Sequence, residues 1–143
     1  MIYTDLTKKA MKLCFDVHKD QIDKSGIPYV FHPFHLAEQM DDEISTVCAL
    51  LHDVIEDSDL TFEFLERLEF PSNVLKVLSM LTHNKEVPYM EYIKNIATDP
   101  IATKVKIADL RHNSDLSRLN VVTEKDIQRN IKYQQALRLL TNT

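Results

Sequence analysis

The 143-residue chain has one glycine, Gly26, two cysteines and no tryptophan. Loops that cradle phosphates in the Walker or dinucleotide-binding manner need several glycines, because backbone N–H groups must approach the anion closely. Neither motif is present. Cys14 and Cys48 sit inside apolar helical patterns, far from any Cys-x-x-Cys spacing, which argues against a zinc knuckle or a disulfide framework and leaves both as small core residues. Positive charge is not in excess either: 17 Lys and Arg against 22 Asp and Glu give a formal net charge of −5. A general nucleic-acid binder would carry a basic stripe to neutralise phosphates, so no such partner is expected, although local charge can still serve an anionic small molecule. No apolar run approaches the ~18 residues of a membrane span. The first residues, Met1-Ile2-Tyr3-Thr4-Asp5, lack the basic-then-apolar pattern of a signal peptide, and the expectation is a cytoplasmic protein with no membrane partner.

What is present is ordinary for a globular chain: 44% hydrophobic and 27% charged residues, in a length that suits one domain of ~100–200 residues. Apolar residues recur at helical spacing almost throughout, while alternating runs bounded by turns are absent. The predicted fold is all-α, with about eight helices and no internal repeat or linker. Leu6, Ala10, Leu13, Cys14 and Val17 stripe a first helix from about Asp5 to Asp23, stopped by Gly26 and Pro28. Pro33 suits the first turn of a second helix through Met40. A third starts near Glu43 and runs through Asp57, apolar nearly all round and therefore central. Thr61, Pro71, Pro88, Pro100 and Thr123 open the rest, Thr123 with Asp126 placed for a capping box.

Three places interrupt the apolar pattern in a chemically suggestive way. At about 100° per residue, His52, Asp53, Glu56 and Asp57 fall within roughly 140° of one face of the apolar third helix. Carboxylates removed from water cost several kcal/mol each, at order-of-magnitude level, unless paired or metal-bound, so a patch of this kind calls for a divalent cation; the alternative is a solvated helix face. Asp109 and Asn113, four residues apart, share a face of another apolar helix, where the bland reading pairs Asp109 with Arg111 or a lysine. His32, just before Pro33, stands at a loop-to-helix junction from which an imidazole can point inward; a lone histidine there is otherwise a cap or a surface residue.

Taken together, His32-Pro33, then His52-Asp53 with Glu56-Asp57, then Ile107-Ala108-Asp109 with Asn113 follow the order and spacing of the HD superfamily of metal phosphohydrolases. The segments Gly26-Ile27-Pro28-Tyr29-Val30-Phe31-His32-Pro33, Ala49 to Asp57 and Val105 to Asn113 further resemble the hydrolase domain of the RelA/SpoT family, and the chain is similar to stand-alone small alarmone hydrolases over about residues 5 to 120. The resemblance implies a single HD domain over residues 1–143. It makes His32, His52, Asp53 and Asp109 the metal ligands and Mn²⁺ the usual ion, although a shell of two imidazoles and two carboxylates suits several divalent transition metals. It places Glu56 and Asp57 on the acid/base pair and Asn113 beside substrate and metal. The implied reaction is attack of water at the 3′ side of a guanosine alarmone, releasing pyrophosphate.

Lys19, Lys24, Lys85, Lys106, Arg111 and Arg118 are candidates for a phosphate-binding rim, and Tyr89 and Tyr92 could stack on a base or simply pack. In the alarmone hydrolases an Arg-Lys pair just before the first-helix histidine meets the guanine; before His18 this chain has Asp16 and Val17, which predicts modest base selectivity. Two other functions compete: an HD phosphohydrolase for another nucleotide, such as a nucleoside monophosphate or a nicotinamide dinucleotide 2′-phosphate, and a metal-stabilised, antitoxin-like module that sequesters a nucleotide.

Overall fold

Side chains that satisfy the unpaired N–H groups of the first turn fix most helix starts in this chain. In the computed structural model, which describes residues 1–142, Thr4 caps α1 (Asp5–His18) in a reciprocal box with Thr7. Asp42 caps α3 (Glu43–Leu51), accepting from Ser45 N at 2.8 Å. Thr61 caps α5 (Phe62–Arg67), and Asp99 followed by Pro100 opens α8 (Pro100–Asn113). Thr123 and Asp126 form the expected capping box of α9 (Glu124–Thr141). Each cap contributes ~0.5–2 kcal/mol to the register of its helix. Between them lie α2 (Phe31–Glu38), α4 (Val54–Asp57), α6 (Ser72–Leu81) and α7 (Tyr89–Ile96), with a short 3₁₀ turn at Leu116–Arg118. The architecture is an all-helical bundle without strands among the described residues, apart from the isolated bridge Ile22–Pro28, and no described helix is long and apolar enough to cross a membrane.

Two boundaries differ from the sequence expectation. The first helix ends at His18 rather than near Asp23. Beyond it the chain turns tightly: Asp23 Oδ1 accepts from Ser25 N at 2.8 Å and Ile27 N at 3.0 Å, and Gly26 takes φ +79°. An aspartate that bonds the backbone two residues on competes with helix, which the apolar stripe could not reveal. The third helix breaks after Leu51, so what reads as one helix is α3 followed by the single turn α4. Asp53 sits at the break with φ −106° and ψ 0°, and the His52 ring takes the Ala49 carbonyl at 2.7 Å. Glu56 and Asp57 therefore belong to a different helix from the one that ends at His52.

The core sits around α3, which packs against α1, α2, α6 and α8. Val47 to Leu51 have no solvent exposure, and burial of each large aliphatic side chain contributes ~1.5–3 kcal/mol. This anchoring holds the C-terminal end of α3, and with it His52, at one position between α2 and α8. Helix α9 closes the bundle against α7 and α8. Cys14 and Cys48 are both free and fully buried, as the apolar pattern implied.

Candidate metal centre

Three helices converge on one buried point. The start of α2 supplies His32, the residue after α3 supplies His52, and the third turn of α8 supplies Asp109; one ligand atom from each lies within 4.8 Å of the others. His32 Nε2 is 2.9 Å and His52 Nε2 3.5 Å from Asp109 Oδ1. Asp53 brings Oδ2 to 2.9 Å from His52 Nε2. Three of the four residues that the motifs single out thus meet mutually, and Asp53 joins them through His52, turned toward it by the helix break and not by a continuous helix face.

Donor and acceptor logic decides what the cluster can hold. His52 Nδ1 faces the Ala49 carbonyl at 2.7 Å and must donate to it. The proton of a neutral ring is then used, and the buried Nε2 has no hydrogen-bond partner while it looks at two carboxylates. A lone pair facing carboxylate oxygens needs a cation between them, either a proton or a metal ion. Burial by itself would lower the His52 imidazole, but Asp53 and Asp109 override it and raise it well above its ordinary value. Burial likewise works to raise the Asp109 carboxyl, yet Lys106, His32 and His52 hold it well below the carboxylate range. Two imidazoles and two carboxylates with an orphaned inward nitrogen fit a divalent ion.

The surrounding groups orient these four. Lys106 Nζ donates to Asp109 Oδ2 at 2.8 Å and Asn113 Nδ2 to Asp109 Oδ1 at 3.0 Å. The Tyr29 hydroxyl donates to Asp53 Oδ2, and His32 Nδ1 meets His112 Nδ1 at 2.7 Å. Partners of this kind fix ligand orientation and tune affinity.

Glu56 lines the smaller of the cavities described below, whereas its neighbour on α4, Asp57, lines neither of the two. Glu56 Oε1 accepts from His83 N at 2.6 Å, and burial, reinforced by Asp53 and Asp57, raises its carboxyl. Asp57 Oδ2 accepts from Gln21 Nε2 at 3.3 Å, and Gln21 Oε1 is 2.8 Å from Nδ1 of the fully buried His18. Burial and then Asp53 raise the Asp57 carboxyl.

Two cavities adjoin here and share Asn113 and Tyr133; the smaller is lined by residues of the cluster and the larger lies beside it. One, of about 240 Å³, is lined by His52, Asp53, Glu56 and Asp109 together with Tyr89, Lys106 and Lys132. The Tyr89 hydroxyl there is buried without a hydrogen-bond partner, and Lys132 Nζ lies 4.5 Å from the centre of its ring. Tyr92 is a packing residue, with 7% exposure and its hydroxyl on the Leu81 carbonyl at 2.7 Å. The other cavity, of about 410 Å³, is bounded by Tyr29, Ile22, Leu116 and Tyr133, with Lys24, Arg118 and Arg129 at its edge.

Of the candidate substrate contacts, Asn113, Lys106 and Tyr89 are brought to the cluster. Lys19, Lys85 and Arg111 are exposed and line neither cavity. Asp16 and Val17 do not line them either: Asp16 is exposed on α1, and Val17 packs on the core. The chain reaches the larger cavity instead through residues 21–25. Sequence reasoning assigned no role to Tyr29, His112, Lys132 and Tyr133. Tyr29 and His112 lie inside the motifs, three residues from His32 and Asp109, so their spacing was a usable signal. Lys132 and Tyr133 had none, because α9 reaches the site only through tertiary packing.

No family model matches the chain. It is 35% identical over 127 residues to a GTP pyrophosphokinase of Myxococcus xanthus, covering 76% of this chain and 17% of that protein. It is 31% identical over 118 residues to a guanosine-3′,5′-bis(diphosphate) 3′-pyrophosphohydrolase of Aquifex aeolicus (strain VF5), covering 74% and 17%. The chain therefore spans about a sixth of the length of these relatives. Among solved structures, a metazoan ortholog of SpoT that hydrolyses ppGpp superposes with a TM-score of 0.79 at 24% identity, over 98% of this chain and 87% of the other. That likeness establishes the fold.

Proposed function

Because this chain belongs to the RelA/SpoT type of HD-domain proteins, we propose that it is a metal-dependent phosphohydrolase that removes pyrophosphate from the 3′ position of guanosine-3′,5′-bis(diphosphate)-like nucleotides, acting as a single HD domain. The observation that carries the reading is the buried His32, His52, Asp109 cluster, joined by Asp53 and opening on a cavity that adjoins a second one of different character. His32, His52, Asp53 and Asp109 would hold the ion, which we take to be Mn²⁺. When bound, such an ion supplies Lewis acidity to a phosphoryl oxygen and makes a water more acidic.

The chain's own residues account for the rest. Glu56 Oε1 is engaged by His83 N, leaving Oε2 to take the proton of the attacking water. Asp57, with Oδ2 on Gln21, has Oδ1 to give a proton to the departing ribose oxygen. A new P–O bond forms from water and the O3′–P bond breaks, so the products are a ribose 3′-hydroxyl and pyrophosphate. The smaller cavity, with Lys106, Lys132 and the unpartnered Tyr89 hydroxyl, suits the charged diphosphate. The larger one, with Tyr29, Tyr133, Ile22 and Leu116 beside peripheral cations, suits the nucleoside and its 5′-phosphates. Asn113, shared by both, stands where the ribose would cross.

The test is to incubate the protein with Mn²⁺ and, separately, guanosine and adenosine 3′-diphosphates, a nucleoside 5′-monophosphate and a nicotinamide dinucleotide 2′-phosphate, and to identify products by chromatography. Pyrophosphate release from the 3′-diphosphates, with modest preference between guanine and adenine, is expected. Hydrolysis of the monophosphate or the 2′-phosphate alone would refute the reading, as would binding of the 3′-diphosphates without turnover.

A further inference from the structure

We propose that His112 is a positioning residue of the metal centre, whose Nδ1 accepts the proton that His32 must carry on its own Nδ1 in order to present a bare Nε2 to a metal ion. The proposal rests on the metal-site reading above, and it concerns how the chain selects one tautomer of one ligand.

His32 directs Nε2 into the cluster, 2.9 Å from Asp109 Oδ1. A ring that gives this nitrogen to a metal has its single proton on the other one. That Nδ1–H lies in a buried side chain, 2% exposed, where an unsatisfied donor is costly. The hydrogen-bond partner present is His112 Nδ1 at 2.7 Å. The two rings are parallel within 5°, with centroids 5.0 Å apart. With so short an N···N distance, this is an in-plane, head-on N–H···N contact. His112 must then leave Nδ1 bare and carry its proton on Nε2.

The His112 ring is held for this task from two directions. It stands three residues after Asp109 on α8, so the same helix face supplies one ligand and the acceptor for another. His35, three residues after His32 on α2, stacks on its face with centroids 4.1 Å apart. Arg118 Nη1 donates to the His112 carbonyl at 2.9 Å and ties down the end of α8. His52 solves the same tautomer problem with a backbone carbonyl, Ala49 O, which can only accept. His32 has no carbonyl in that position, and an imidazole takes its place. Without the acceptor, the favourable alternative for His32 is the Nε2–H tautomer, in which a proton points at the ion.

The test compares His112→Phe, which keeps a ring for His35 to stack on but cannot accept, with His112→Gln, whose amide oxygen can. Dissociation constants for Mn²⁺ are measured by competition with a chromophoric chelator, and melting temperatures are recorded in EDTA. We expect affinity to fall by ~10–100-fold for Phe and to be largely restored by Gln, with the EDTA melting temperatures of the two variants alike. With Zn²⁺ as a diamagnetic probe, ¹⁵N-resolved spectra of the wild type should show a slowly exchanging proton on His32 Nδ1. Wild-type affinity in the Phe variant, an equal loss in both variants, or a His32 protonated on Nε2 in the Zn²⁺ form would overturn the proposal alone. Wild-type protein that takes up no metal would overturn the site reading and this proposal together.

Discussion

Asp109 concentrates the electrostatics of the centre, and removing it is the most informative single perturbation. Its Oδ2 is 2.8 Å from Lys106 Nζ, in a pair whose side chains are 7% and 14% exposed, and its Oδ1 meets His32, His52 and Asn113. Asp109→Ala strands the Lys106 ammonium in a site that has lost its carboxylate. Breaking a buried ion pair from one side costs ~3–5 kcal/mol, which in a chain of this size lowers the melting midpoint by about 6–20 °C. Denaturation in EDTA isolates this contribution. Repeating it with Mn²⁺ at about 100 times its dissociation constant adds about 2.7 kcal/mol to the wild type alone and widens the difference to roughly 6–8 kcal/mol. Adding Lys106→Met to Asp109→Ala removes the stranded charge and should recover at least half of the loss. A penalty in EDTA below ~1 kcal/mol, or a double variant no more stable than the single one, would refute the assignment of a buried charge pair.

Glu56→Gln and Asp57→Asn should leave metal content intact by elemental analysis while lowering turnover by ~100-fold or more, the scale of a positioned acid or base; wild-type turnover in both would remove these roles. The Thr123 backbone and hydroxyl donors hold the Asp126 carboxyl down to about 2, from an ordinary 3.8. Its contribution is therefore complete above 3.8 and is lost as pH falls through about 2, so acid unfolding curves of wild type and Asp126→Asn should converge across that window. Glu69, exposed at the end of α5, has φ +66°, a left-handed conformation that costs a side-chain-bearing residue ~1–2 kcal/mol. Glu69→Gly should raise urea stability by up to about 1 kcal/mol, and a loss of stability would count against that backbone.

The sequence by itself determined the helical class, most helix starts and which polar residues interrupt the apolar pattern, because these depend on local quantities: the 3.6-residue spacing of apolar side chains, the cap before each helix, and the breaks at His32, His52-Asp53 and Asp109 that made them candidates for the cluster. It could not locate the end of α1, because the Asx turn at Asp23 depends on one side chain bonding backbone groups ahead of it. Nor could it show the break at Asp53, since a run that is apolar all round reads as continuous helix. The tertiary structure alone decided which charges matter. Six cations were plausible around a phosphate, and helix packing brings Lys106 beside Asp109 while leaving Lys19, Lys85 and Arg111 in solvent. It also brought Lys132 and Tyr133 of α9 to the cavity, about 20 residues beyond Asp109 in the chain, and set His112 head-on against His32. Such pairings arise where separate helices close on a shared core, and periodicity within any one helix carries no information about its neighbour's side chains.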